Sequence, residues 1–156
     1  MTRVLSSLPT AGVSATAKQV AEAVARDQQR LRESIMIGLD SAVFDELAAV
    51  FEECSQSNWD GHGALPVDRD TLRAAYCFLE ALPLGTRAPT VSAEPDGHLA
   101  LEWHQSLRRT LSVSISPDGE LHYAALLGPN RAYGTEAFLG DVPNTILDLI
   151  QRVYAA

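Results

Sequence analysis

The segment over residues 58–64 carries the residue types best suited to chemistry in this chain. Its sequence, Asn-Trp-Asp-Gly-His-Gly-Ala, places Asp60 two residues before His62. A carboxylate beside an imidazole can act as an acid/base pair or supply two ligands to a metal ion. The segment also has the features of a rigid connector, because Asn58 and Asp60 can bond nearby amides in Asx turns and Trp59 can anchor its indole N–H on a carbonyl. We favour the connector, with a ligand-binding loop as the alternative.

Histidines form the second concentration of candidate ligands. His98, Glu102 and His104 share the polar face of one predicted strand, and His122 lies on the polar face of a later strand. At about 3.3 Å per residue, His98 and His104 are too far apart to share one ion. Glu102 and His104 could share one if His122 came alongside, because zinc takes three or four close ligands. A solvated sheet face is the more frequent origin of this pattern, so we predict no metal and no cofactor.

The motifs of nucleophilic and nucleotide-dependent enzymes are missing from the sequence. It contains no Gly-x-Ser-x-Gly, no phosphate-binding loop, no Gly-x-Gly-x-x-Gly and no Cys-x-x-Cys. Cys54, near a helix end, has no histidine that the sequence pairs with it, and Cys77 is expected to be a buried small hydrophobe. Two cysteines and the lack of a secretory signal indicate the reducing cytoplasm. We therefore predict no catalytic residue.

Composition and charge restrict the class of protein further. The 156 residues are 46% hydrophobic and include 12 basic and 20 acidic side chains, for a net charge of −8. This length allows one domain with a hydrophobic core, and no apolar run approaches the roughly 18 residues that a membrane span requires. The negative charge disfavours nucleic acid as a partner. The negative charge would attract a basic protein as partner, or it would only keep the protein soluble.

The first 39 residues differ from the rest of the chain. Residues 1–14 have the composition of a flexible tail, and residues 15–39 hold a predicted helix. The apolar stripe of this helix consists of four residues: Val20, Val24, Leu31 and Ile35. So narrow a stripe suits an exposed or partner-binding helix better than a core helix. We predict these four residues as partner-binding, and residues 40–156 as a single α+β domain.

Periodicity predicts the elements of that domain. A helix capped by Asp40 or Ser41 is expected to end near Cys54, with an apolar face made of Phe44, Leu47, Val50 and Phe51. Another helix is predicted over 69–81, capped by Asp68 or Asp70. Alternation within 91–127 predicts three to four antiparallel strands joined by short turns, followed by an irregular stretch. A C-terminal helix that begins at Pro143, capped by Asp141, should pack on the sheet. Segregated helices and strands define the α+β class.

Two motifs give the chain a family resemblance. The Asn-Trp-Asp-Gly-x-Gly-Ala run at 58–64 is followed by an alanine-rich helix that ends in Leu-Pro. A Pro-Asp-Gly turn at 95–97 then leads to Leu-Glu-Trp at 101–103. In this combination the chain resembles a scattered group of small uncharacterised bacterial proteins, over residues 56–155. The resemblance implies a bacterial or phage setting and a common structural core, and it implies no activity.

Together these features favour an interaction protein over an enzyme. We predict a non-enzymatic acidic module that binds another protein and inhibits it, as an antitoxin, an immunity protein or an anti-defence protein does. The partner is expected to be another protein or a second copy of the chain, which would form an oligomer, and neither a membrane nor a nucleic acid. The alternatives are a structural subunit of a larger bacterial or phage assembly and a small metal-assisted hydrolase.

Overall fold

The structure, a computed structural model, describes residues 19–27 and 41–156. Residues 19–27 form a helix, α1. This helix and the elements from residue 41 onward belong to two separate units of the chain. In the part of the chain that is described, no helix has both the length and the apolar character that crossing a bilayer demands.

Within the second unit, residues 41–156 contain three helices and five strands. In chain order they are α2 (Ser41–Cys54), α3 (Arg69–Glu80), β1 (Thr90–Ala93), β2 (Leu99–Ser106), β3 (Arg109–Ile115), β4 (Glu120–Leu127), β5 (Asn130–Ala137) and α4 (Asn144–Tyr154). Two helices precede the sheet and one follows it, so the predicted α+β class is confirmed.

The five strands form one antiparallel sheet in the order β1-β2-β3-β4-β5. The predicted meander is therefore confirmed, but the prediction of three to four strands missed β5. The two-residue turn Gly128-Pro129 links β4 to β5, where we expected an irregular stretch. Gly134 lowers the strand propensity of β5. The Tyr123 side chain on the neighbouring strand occupies the space beside this glycine, so a Cβ there would lie 2.6 Å from the Tyr123 hydroxyl oxygen unless the ring moved. The Tyr123 ring covers the glycine, and this contact compensates for the missing side chain.

One face of the sheet forms the core. Alternate side chains of the central strands are fully buried on this inner face: Leu99, Leu101, Trp103, Leu111, Val113, Ile115 and Leu121. The helices α3 and α4 pack against these strands. The apolar face predicted for α4 is confirmed, since Ile146, Leu149, Ile150 and Val153 are all buried. Trp103 is completely buried and satisfies its indole by donating Nε1–H to the Arg87 carbonyl oxygen at 2.8 Å.

The helix ends follow the predicted capping in one case and differ in another. Asp68 caps α3, because its Oδ1 accepts the amide of Thr71 at 2.9 Å. Pro143, and not Asp141, is the residue that precedes α4, and among the described residues no side chain caps that end. Proline suits this position because it lacks the amide proton that a helix start leaves without an intrahelical acceptor.

The helix α2 lies along β1, the first edge of the sheet. Its buried side chains are Val43, Phe44, Leu47 and Cys54. Val50 and Phe51, predicted to be buried, are only partly covered, because the face in contact with the rest of the fold is rotated toward Val43. Cys77 was also predicted to be buried and is exposed, since α3 turns Ala75, Phe78 and Leu79 inward instead.

The inner face of the sheet should dominate stability. Replacing Leu101, which is completely buried, with alanine is expected to lower the free energy of unfolding by about 2–5 kcal/mol. Leu107 is the matched control: it is 88% exposed at the β2–β3 turn, and its change to alanine should cost less than about 0.5 kcal/mol. Urea denaturation of both variants measures this. Equal losses would contradict the assignment of the core.

Candidate functional site

Side-chain bonds to the backbone organise the loop between α2 and α3. Asn58 adopts a left-handed conformation, with φ of 62°. Its Oδ1 accepts the amide of Gly63 at 2.7 Å, and its own amide donates to the carbonyl oxygen of Ala64 at 2.8 Å. Asp60 binds in the same way, because its Oδ1 accepts the amides of His62 at 2.8 Å and of Ala64 at 3.0 Å. Both side chains therefore hold the loop in one conformation.

The pairing of Asp60 with His62 is unlike that of a catalytic dyad. Nδ1 of the imidazole lies 2.8 Å from the backbone carbonyl oxygen of Asp60, and the carboxylate is engaged by amides. These backbone hydrogen bonds lower the pKa of Asp60. An acid whose ionised form is stabilised is a poor proton donor and a weak base near neutral pH. The geometry thus favours the connector over an acid/base pair.

Trp59 anchors the loop as its sequence context suggested. The side chain is half-buried and donates its indole Nε1–H to the carbonyl oxygen of Leu65 at 2.9 Å. Beyond this point Val67 donates its amide to the carbonyl oxygen of Cys54 at 2.9 Å, which ties the start of α3 to the end of α2. The loop over residues 55–68 therefore holds the two helices together, and we call it the clasp loop.

The same loop contacts the Pro-Asp-Gly turn that joins β1 to β2. Leu65 donates its amide to the carbonyl oxygen of Pro95 at 2.8 Å. Gly97 has a φ of +87°, and a Cβ there would lie 2.9 Å from the carbonyl oxygen of Pro66. Glycine is required both by the positive φ and by this close approach. The residues that follow the 58–64 run are thus in direct contact with the Pro-Asp-Gly turn at 95–97.

A cluster of possible metal ligands lies at this turn. The ligand atoms of Glu94, Asp96 and His98 all lie within 4.8 Å of one another. Nδ1 of His98 is 3.6 Å from Oδ2 of Asp96 and 3.2 Å from the hydroxyl of Ser114. That hydroxyl also donates to the carboxylate of Glu94. We refer to Glu94, Asp96 and His98 as the turn cluster. The cluster was not predicted from the sequence, because Asp96 was interpreted only as a turn residue and Glu94 was not considered as a ligand.

The histidine arrangement considered from the sequence is not formed. His122 on β4 lies opposite Ser114 on β3, whereas Glu102 on β2 lies opposite Ser112. The strand β3 therefore separates His122 from both residues, and His122 is displaced by one row of the sheet from Glu102 and by two rows from His104, which lies opposite Thr110. It lies instead beside His98, and the two nearly parallel rings have centroids 6.0 Å apart.

The last strand leaves one edge of the sheet open. Among the described residues, none pairs with the outer side of β5. The amide of Phe138 donates to Gly119 on the β4 side, and backbone groups alternate in direction along an antiparallel strand. The N–H and C=O groups of Arg131, Tyr133 and Thr135 consequently point away from the sheet. Their side chains share the face of the sheet that α3 and α4 leave uncovered, which we call the outer face.

The partner-binding residues predicted on the first helix are described in part. Within α1, Val20 and Val24 are half-buried and every other side chain is exposed. Leu31 and Ile35 lie outside the described residues. The spacing of the two valines on one face is therefore retained, and their role in binding remains a prediction.

The thiol of Cys54 is poorly suited to act as a nucleophile. Cys54 is buried at the end of α2, and burial together with the neighbouring Glu53 carboxylate raises its thiol pKa. A raised pKa keeps the thiol protonated and weakly nucleophilic near neutral pH. Cys54 is accordingly a structural residue.

Comparisons with protein-family models, with curated proteins and with solved structures give no match to this chain. Function is therefore inferred from the geometry alone.

The hydrogen bonds of Asp60 should give the loop a measurable pH dependence. A carboxylate whose pKa is lowered by folding stabilises the fold above its unfolded pKa of about 3.9, and this contribution disappears as the pH falls through the lower folded value. The Asp60→Asn variant lacks this ionisation. We expect its deficit in unfolding free energy to be largest near neutral pH and to shrink in acid.

Urea denaturation at a series of pH values measures this deficit. The exposed Asp141→Asn variant serves as the control for loss of one negative charge. A deficit that stays constant into acid would show that the charge of Asp60 does not stabilise the loop.

Proposed function

We propose that this chain is a non-enzymatic, acidic protein-interaction module that accepts an extended segment of a basic protein along the open edge of β5. The observation that carries the proposal is the row of outward-pointing backbone groups on Arg131, Tyr133 and Thr135. Such a row is a template for an added strand, and main-chain hydrogen bonds give this mode of binding its affinity.

The two edge strands of the sheet differ in how far they are covered, and this difference supports the choice of β5 as the binding edge. At β1 the helix α2 lies against the strand, and Oε1 of Glu46 accepts the amide of Val91 at 3.0 Å. A covered edge whose amide is already bonded cannot pair with another strand. Within the described residues β5 has no such cover, and it is eight residues long where β1 has four. The protein is thus protected at one edge and available at the other.

The outer face beside β5 supplies side chains suited to binding. Tyr133 is 83% exposed and lies opposite Ala124, while Leu126 on β4 is also exposed. Exposed tyrosines are enriched among residues that contribute strongly to protein interfaces, because they bury large area with few rotatable bonds. The small side chain of Ala124 leaves space beside the ring for an apolar group of the partner.

Charge indicates the chemistry of the partner. Residues 40–156 hold seventeen acidic and seven basic side chains. A surface with this excess attracts a basic protein and accelerates the encounter, and the effect weakens as salt rises. Binding that blocks the partner would make the module an inhibitor of the antitoxin, immunity or anti-defence kind in a reducing cytoplasm. In that setting Val20 and Val24 of α1 would offer a second contact.

Variants of β5 test the proposal by comparative affinity capture with the tagged full chain. Thr135→Pro removes an outward amide, and Tyr133→Ala removes the exposed ring. We expect each to reduce the amount of a captured basic protein by about tenfold, the effect of about 1.4 kcal/mol. Added salt should reduce capture by the wild type as well.

Two matched variants keep the result interpretable. Thr135→Val keeps the backbone amide but, like Thr135→Pro, loses the hydrogen bond between the Thr135 hydroxyl and Nδ1 of His122. Leu139→Ala removes a side chain that is 90% exposed and lies outside the sheet. Both should bind as the wild type does, and all four variants should unfold cooperatively. Capture that is unchanged by Thr135→Pro and Tyr133→Ala would exclude the β5 edge as the binding surface.

A further inference from the structure

We propose that the turn cluster, Glu94, Asp96 and His98, binds a divalent transition-metal ion of the Zn²⁺ class. The three side chains supply two carboxylates and one imidazole, the oxygen and nitrogen ligands that Zn²⁺ takes in proteins. The proposal does not rest on the proposed function, and the site was not predicted from the sequence.

The spacing of the ligand atoms is close to what one ion requires. Two ligands about 2.1 Å from a tetrahedral ion lie about 3.4 Å from each other. Nδ1 of His98 and Oδ2 of Asp96 are already 3.6 Å apart, and the whole cluster spans no more than 4.8 Å. Small side-chain rotations therefore suffice to bring the three groups onto one ion.

The backbone that carries the ligands is held from both sides. The amide of Glu94 donates to the carbonyl oxygen of His98 at 2.9 Å, and that of Gly97 donates back to Glu94 at 3.0 Å. The clasp loop contacts the turn through Pro66 and through the bond from Leu65 to Pro95. A turn that is fixed before the ion arrives reduces the entropy lost on binding.

A second turn of the same sheet shows that this turn type can form without the glutamate and the histidine. The Pro-Asp-Gly sequence recurs at 117–119, where Ser116 and Glu120 replace Glu94 and His98. The backbone bonds are equivalent: Ser116 donates to Glu120 at 3.0 Å, and Gly119 donates to Ser116 at 3.1 Å. The same turn thus forms with a different and poorer set of metal ligands, so the backbone bonds of the turn do not depend on Glu94 and His98.

The charge around the cluster also favours a cation. Among the described residues, no arginine forms an ion pair with Glu94 or Asp96. The printed contacts of the two carboxylates are instead with the backbone amide of His98, which donates to Asp96 at 3.1 Å, with the Ser114 hydroxyl, which donates to Glu94, and with the His98 imidazole 3.6 Å from Asp96. A divalent ion would neutralise both charges. Three protein ligands leave a coordination position for water or for a donor atom of a bound molecule.

Titration of the metal-free full chain with Zn²⁺ by calorimetry, and with Co²⁺ by visible absorption, tests the site. We expect saturable binding of one ion and a tetrahedral Co²⁺ spectrum. His98→Gln should weaken binding by at least tenfold, because a ligand nitrogen is lost. Asp96→Asn should weaken it too, and in the wild type the ring resonances of His98 should shift as the ion is added.

Two further variants distinguish this site from other donors. His104→Gln alters a comparable exposed pair, in which Nδ1 of His104 lies 3.9 Å from Oε1 of Glu102, and Cys77→Ser removes the exposed thiol. Both should retain wild-type affinity. The proposal is overturned if the wild type shows no saturable uptake, if His98→Gln binds as tightly as the wild type, or if His104→Gln or Cys77→Ser loses as much affinity.

Discussion

Burial of one face of the sheet is the interaction on which the rest of the structure depends. The apolar inner side chains of β2 and β3, together with Leu121 of β4, have no solvent exposure, and each large aliphatic residue of this set contributes about 1.5–3 kcal/mol by leaving water. Because side chains alternate along a strand, fixing this face under α3 and α4 also fixes which residues point outward. The polar outer face and its histidines are therefore placed by the core, which they do not contact.

The clasp loop and the β1–β2 turn lie next to each other at one end of this sheet. The clasp loop has to return the chain from α2 to α3 and reaches the end of the sheet at the β1–β2 turn. Asn58, Asp60 and Trp59 direct their polar atoms to the backbone, which makes the loop rigid and leaves it little capacity for chemistry. The turn that the loop supports displays Glu94, Asp96 and His98 on a fixed backbone. The clasp loop thus provides rigidity, and the adjacent turn carries the candidate metal ligands.

Much of this arrangement could be predicted from the sequence where the pattern is local. Strict alternation marked β3, the apolar spacing of α4 marked its buried face, and Asp68 marked the start of α3. β5 was missed because its residues alternate between polar and small, and because the contact that compensates for Gly134 comes from Tyr123 on the neighbouring strand. The exposure of Cys77 depends on how α3 is rotated against its neighbours, which composition does not encode.

For the candidate sites, too, local features could be predicted from the sequence and long-range features could not. The internal bonds of the clasp loop lie within seven residues of sequence, and Asx-turn chemistry predicted them. To predict the turn cluster, one would have to know that Glu94 and His98 face each other across a turn. One would also have to know that Ser114 and His122 lie alongside them. The open edge of β5 could not be recognised before the strand itself was known. Long-range pairing, which no single segment contains, determines both surfaces.

Amide hydrogen exchange in β5, resolved by NMR on the full chain, tests the central claim most directly. If the outer edge is open to a partner, the amides of Arg131, Tyr133 and Thr135 should exchange much faster than those of Ala132, Gly134 and Glu136, which point to β4. Equal and strong protection of both sets would show that the edge is already covered. That result would contradict the assignment of β5 as the surface that receives a partner.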